Sequence, residues 1–145
     1  MFAHILAPFD GSKNAVAALD MAVGLASLSG ARLTILTVYR HHSMLEASFS
    51  MVRPEEPDNM DDILRGHAEE VAAFAKARAI GMGATGARAF VRNGPVARSI
   101  VAFAGQQDVD LIVLGGRGLG SVEGYLLGSV SHKVTGLAEC PVMVV

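Results

Sequence analysis

DLIVLGG, residues 110–116, places four large apolar residues in succession, Leu111 to Leu114, and ends on two glycines. An unbroken apolar run is what a strand shows when both of its faces are covered; a strand with one wet face alternates. The next stretch, RGLGSVEGYLLGSVS from 117 to 131, is rich in glycine and passes into a helical pattern between Gly128 and Leu137. A buried strand, a glycine loop and a helix therefore stand in direct succession, and the chain closes on CPVMVV, 140–145, read as a fifth strand.

Upstream, strand and helix alternate in the same way. AHILAPF, 3–9, is a short apolar run closed by the turn residues Asp10, Gly11 and Ser12. Ser12 is placed to cap a helix on which Val16, Leu19, Val23 and Ala26 recur at helical spacing until Ser29 and Gly30 stop it. RLTILTVY, 32–39, has the β-branched and aromatic content of a second strand, after which the pattern dissolves into a loop over 41–59. From Met60 a second helix is expected, with Ile63, Leu64, Val71, Phe74 and Ala75 on its buried face, Asp58 or Asn59 as cap and Gly81 as terminator. ARAFVR, 87–92, reads as a third strand, and Gly94-Pro95 opens a helix carrying Val96, Ile100 and Phe103. Five strands alternating with four helices predict an α/β fold: an open, doubly wound, five-stranded parallel sheet with helices on both faces.

The composition narrows the function. At 145 residues with 51% hydrophobic letters the chain fills one core, so a single domain over 1–145 is expected. Lys and Arg total 12 against 14 for Asp and Glu, a formal charge of -2, which is not the footprint of a nucleic-acid binder. No apolar stretch runs far enough uninterrupted to span a bilayer, and Asp10 arrives too early for a signal peptide, so neither membrane insertion nor export is expected. Cys140 is the only cysteine; it excludes an internal disulfide and fits a cytoplasmic compartment.

The chemistry is concentrated after the fourth strand. Glycines let successive N–H groups turn toward one point, and a helix start adds unpaired N–H groups and partial positive charge, so Gly115 to Ser131 can form an anion cradle. Ser129 and Ser131 could donate hydroxyl hydrogen bonds to a phosphate, and Arg117 a charge-assisted one. The same glycines could instead serve only a tight turn. No Gly-Lys-Ser/Thr follows them, so this is not a Walker loop, and no complete Gly-x-Gly-x-x-Gly sits near the first strand. With strand order 3-2-1-4-5, Asp10 and Gly115 would meet at the crevice where chain order reverses. Asp10 is then placed to bond a ribose hydroxyl or hold magnesium, or to act as a turn residue only.

Here the chain resembles the universal stress protein family. The family motif of glycine, two residues, glycine, nine residues, then glycine with serine or threonine is present as Gly115, Gly118 and Gly128-Ser129, and ILAPFDGS, GARLTILTV and CPVMVV also look like the family. The resemblance implies the Rossmann-like fold of the adenine nucleotide alpha hydrolase type and a homodimer that binds ATP without being an efficient ATPase. By that similarity Pro8, Phe9 and Asp10 line the adenosine end and the backbone of Val38 reads the adenine edge. Leu114 and Gly115 would support base and ribose, and Gly118, Gly128, Ser129, Val130 and Ser131 the phosphates. Phe9 departs from the family pattern, since a small polar residue often precedes the aspartate, and its ring is expected to narrow the adenosine pocket.

Other residues read more plainly. His41 and His42 lack a third ligand at suitable spacing, Glu123 has nothing to position it against water, and His132, which follows Ser131 on the last helix, could approach a phosphate or be a surface histidine. Cys140 reads as core packing. Val142, Met143 and Val144 would form an uncovered sheet edge, which pairing with a twofold mate removes. The reading is thus a cytoplasmic, ATP-binding regulatory homodimer with magnesium on the nucleotide and an unidentified protein client, or alternatively a nucleotide-free dimerisation scaffold. A phosphoacceptor receiver would need an aspartate where Arg92-Asn93 stand, and no Gly-x-Ser-x-Gly supports a serine hydrolase.

Overall fold

The computed structural model describes residues 1–40, 57–117 and 127–145. Among them the elements run β1 His4–Pro8, α1 Lys13–Ser29, β2 Arg32–Tyr39, α2 Pro57–Gly81, β3 Arg88–Asn93, α3 Val96–Gln106, β4 Leu111–Leu114, α4 Ser129–Leu137 and β5 Val142–Val144. The strands form one sheet in the order β3-β2-β1-β4-β5, as expected, and every neighbouring pair is parallel. Register is set from the centre: Ile5 lies beside Leu33 on one side and Leu111 on the other. The reversal of chain order falls between β1 and β4, so the crevice opens above their carboxyl ends.

Period-two alternation divides the core into two layers. Ile5, Ala7 and Phe9 turn toward α1 and α2 with Leu33 and Ile35, while Leu6, Leu36, Ile112 and Leu114 turn toward α3 and α4 with Ile100, Phe103 and Val134. The layers differ in the size of their helical residues. On the first, the buried helix positions include Ala15, Ala18, Ala22, Ala26, Ala68, Ala72, Ala75 and Ala79. Small side chains there bring helix and sheet close together. The second relies on bulky side chains, each worth roughly 1.5–3 kcal/mol when fully buried.

α1 begins as expected, with the Ser12 hydroxyl accepting the Ala15 N–H, and ends at Gly30 in the left-handed region at φ 69°. There glycine carries no Cβ penalty. α2 departs from the expectation. It starts at Pro57, where the missing N–H costs nothing in a first turn, ahead of the expected start at Met60. Its buried stripe is Ala68, Ala72, Ala75 and Ala79, whereas Ile63 and Phe74 are 63% and 56% exposed. The loop expected over 41–59 lies outside the described residues up to 56; 57–59 belong to α2. Among the described residues no helix is long and apolar enough to cross a membrane.

Candidate functional site

The turn after β1 is fixed by its own hydrogen bonds. Phe9 N–H donates to the Leu36 carbonyl at 2.9 Å, and the Thr37 hydroxyl donates to the Phe9 carbonyl at 2.9 Å. Asp10 Oδ1 then accepts the Ser12 N–H at 2.9 Å. Asp10 is therefore the turn residue the sequence allowed, and it also faces the crevice.

The glycine segment is held at both ends. Gly116 N–H donates to the Val145 carbonyl at 2.9 Å, and Gly128 N–H donates to the Gly116 carbonyl. The Ser131 hydroxyl lies 3.0 Å from the Gly116 carbonyl and 3.1 Å from that of Gly128. Ser131 is buried, and its one hydroxyl hydrogen is directed at backbone carbonyls. That differs from the expectation that it donates to a phosphate: the side chain clasps the ends of the loop. Gly115 has a steric reason to be glycine, because a Cβ there would lie 2.8 Å from the carbonyl carbon of Asn14.

Between these elements lies a cleft of about 750 Å³, lined by Pro8, Phe9, Asp10, Val38, Leu114, Gly115, Arg117, Gly128, Ser129, Val130 and Ser131. Its size falls within the range of small-molecule sites, roughly 300–1,000 Å³. Gly118 lies outside the described residues, as do His41, His42 and Glu123. The cleft also takes in residues the sequence did not assign to it: Ser12, Arg40, Val96, Ile100 and His132. Arg40 had a readable signal, since it follows β2 as Asp10 follows β1. His132 is exposed, as a surface histidine is, and it lines this cleft.

Phe9, whose ring is expected to narrow the adenosine pocket, lines the cleft. It is 3% exposed and belongs to the α1/α2 layer, where its ring stacks on Phe74 with centroids 6.1 Å apart. Alternation along β1 sends Pro8 to one side and the Phe9 ring to the other. Cys140 packs against the α3/α4 layer, and burial pushes its thiol above the ordinary value, which suits packing and not reactivity. No group of three metal-ligating side chains comes together among the described residues.

The universal stress protein family model matches residues 1–145. The chain belongs to the universal stress protein family. It is 36% identical to universal stress protein YxiE of Bacillus subtilis, over 100% of this chain and 99% of the relative. Among solved structures, it matches universal stress protein UspA from Lactobacillus plantarum at 28% identity and TM-score 0.80, covering 99% of this chain and 97% of that one. A universal stress protein crystallised in complex with cAMP matches at 27% identity and TM-score 0.71, covering 99% and 96%. The order 3-2-1-4-5 and the crevice between β1 and β4 are thus a universal stress protein scaffold, on which this chain places an apolar wall from Leu36, Val38, Val96, Ile100 and Leu114.

Proposed function

We propose that the cleft binds an adenine nucleotide, ATP with magnesium in the first instance, and that the protein acts as a cytoplasmic regulatory homodimer in stress response, hydrolysing ATP slowly at most. The observation that carries this reading is the convergence of Asp10, Gly115, Arg117 and Gly128 to Ser131 on one cleft from distant parts of the sequence. A cAMP complex of a relative supports the choice of adenine. The base would lie against Val38, Leu114 and Pro8. Ser129 and Val130 stand in the first turn of α4, where N–H groups have no intrahelical acceptor. Asp10 is the one carboxylate among the described lining residues, so magnesium would be held mainly by the phosphates. Nucleotide occupancy would alter the surface offered to a client protein.

Denaturing the purified protein and identifying released nucleotide by mass spectrometry tests this reading. Adenine nucleotide is expected from the native chain. Ser129→Ala removes one hydroxyl from an anionic partner, about 1.5–3 kcal/mol, and should weaken ATP binding by roughly 10–100-fold. An empty protein with no thermal shift at millimolar ATP and magnesium would leave the nucleotide-free scaffold.

The homodimer would form on β5, the edge of the sheet beyond β4. The Pro141 carbonyl accepts from Ile112, and Val145 bonds Leu114 and Gly116. Alternation therefore turns the Met143 backbone toward β4 and the backbone groups of Val142 and Val144 toward the open edge. Val144→Pro removes one outward N–H and leaves the β4 bonds in place. It is expected to shift the protein from dimer to monomer in sedimentation while the circular dichroism spectrum is unchanged; a variant that stays dimeric places the interface elsewhere.

A further inference from the structure

Among the described residues that line the cleft, three can carry positive charge, Arg40, Arg117 and His132, against one carboxylate, Asp10, although the chain as a whole is formally -2. His132 differs from the other two. A histidine is the side chain whose charge changes in the near-neutral range, whereas arginine stays charged throughout. His132 lies in the first turns of α4, three residues past Ser129, and both residues line the cleft. We propose that His132 is a proton-dependent ligand of the phosphate group in this cleft, so that nucleotide binding takes up a proton and tightens on acidification. The inference rests on the nucleotide reading above and adds a ligand and a regulating ion to it.

The surroundings leave the charge balance to a few groups. α3 packs against α4 and offers Val96 and Ile100 to the cleft; its one ionisable side chain is Arg98, which is exposed. β5 contributes Val142, Met143 and Val144 and no charge. Among the described residues, the remaining charges are Asp10 after β1, Arg40 after β2, Arg117 after β4 and Lys133 on α4 itself. A phosphate in the cleft accepts a charge-assisted hydrogen bond from a protonated ring, roughly twice as strong as a neutral one. Protonation and phosphate binding thus favour each other, and the coupling is reciprocal.

Calorimetric titration with ATP and magnesium at about pH 6 and about pH 8, repeated in buffers of different ionisation enthalpy, reads both quantities. Because ATP itself titrates, the measured quantity is the ratio of Kd for the native chain to that for His132→Gln at each pH. Native protein is expected to gain roughly tenfold in affinity over His132→Gln at the lower pH and to match it at the higher, with uptake of a proton that the variant lacks. His132→Lys, charged at both pH values, should bind tightly at both. Native and His132→Gln proteins that share one pH profile and one proton count overturn the inference and leave nucleotide binding intact. Absence of ATP binding by all three proteins at both pH values overturns the nucleotide reading, and this inference with it.

Discussion

Gly115→Ala is expected to destabilise the fold by about 1–3 kcal/mol, and Gly115→Val by more, before any question of ligand arises. An added Cβ would lie 2.8 Å from the Asn14 carbonyl carbon and 2.9 Å from its oxygen. These are backbone atoms at the start of α1, so no rotamer change relieves the contact and Asn14→Gly would not rescue it. Relief requires α1 to move away from the end of β4, and that opens the alanine-lined layer beneath it. The urea midpoint of Gly115→Ala should fall with no change in m-value; an unchanged midpoint would mean that α1 shifts at no cost. Loss of nucleotide binding in this variant would therefore report on stability, whereas loss in Ser129→Ala, on an exposed first-turn residue, reports on contact.

At the opposite end of the sheet, His4 is expected to make stability depend on pH. It is 3% exposed. Its Nδ1–H donates to the Gln107 carbonyl at 3.0 Å, and Nε2 accepts the Thr34 hydroxyl at 2.8 Å. A carbonyl only accepts, so Nδ1 carries the hydrogen of the neutral ring, and the Arg32 guanidinium lies 3.3 Å from the same nitrogen. Burial, with the Arg32 guanidinium adding to it, holds the imidazole below its ordinary value of 6.5, against the opposing pull of the Gln107 carbonyl. The unfolded chain then binds the proton first. The stability this site contributes is present in full above about pH 6.5 and is lost as pH falls below it toward the folded-state value, by up to about 1.4 kcal/mol per unit. His4→Leu leaves Thr34 and Gln107 without the ring and should cost about 2–4 kcal/mol at neutral pH. It should also remove that slope. Asp110, which accepts the N–H groups of Ala3 and His4, is held below the ordinary carboxylate value. Its contribution is lost only in more acid solution, so denaturant midpoints followed against pH separate the two.

The sheet was legible in the sequence because its physics is local. Runs such as LIVL at 111–114 and the turn at Asp10 to Ser12 announce a strand covered on both faces and its end, and parallel order follows from right-handed crossovers. The site was legible where glycines and serines repeat at fixed spacing. α2 misled the periodicity argument because large apolar letters dominate hydropathy, so Ile63 and Phe74 outweighed Ala68, Ala72 and Ala79, which are buried. Alanine is silent in such patterns: it suits a helix equally well inside and out. Ser131 could not be read for a different reason. Its hydroxyl points at carbonyls of Gly116 and Gly128; that of Gly128 lies three residues back at the cap of the same helix, but only the return of the chain over β4 brings that of Gly116 within reach.

The unequal layers of the core give the two sides of this molecule opposite tolerances to sequence drift. Where alanines meet the sheet, the forbidden direction is growth: one added methylene wedges a helix outward, and shrinking is hardly possible. Around Ile100, Phe103 and Ile112 the forbidden direction is loss, since trimming leaves a void that rigid neighbours cannot fill. Sequences diverging from this one would therefore keep residue volume under a ceiling on one flank and above a floor on the other, with the crevice poised along the seam.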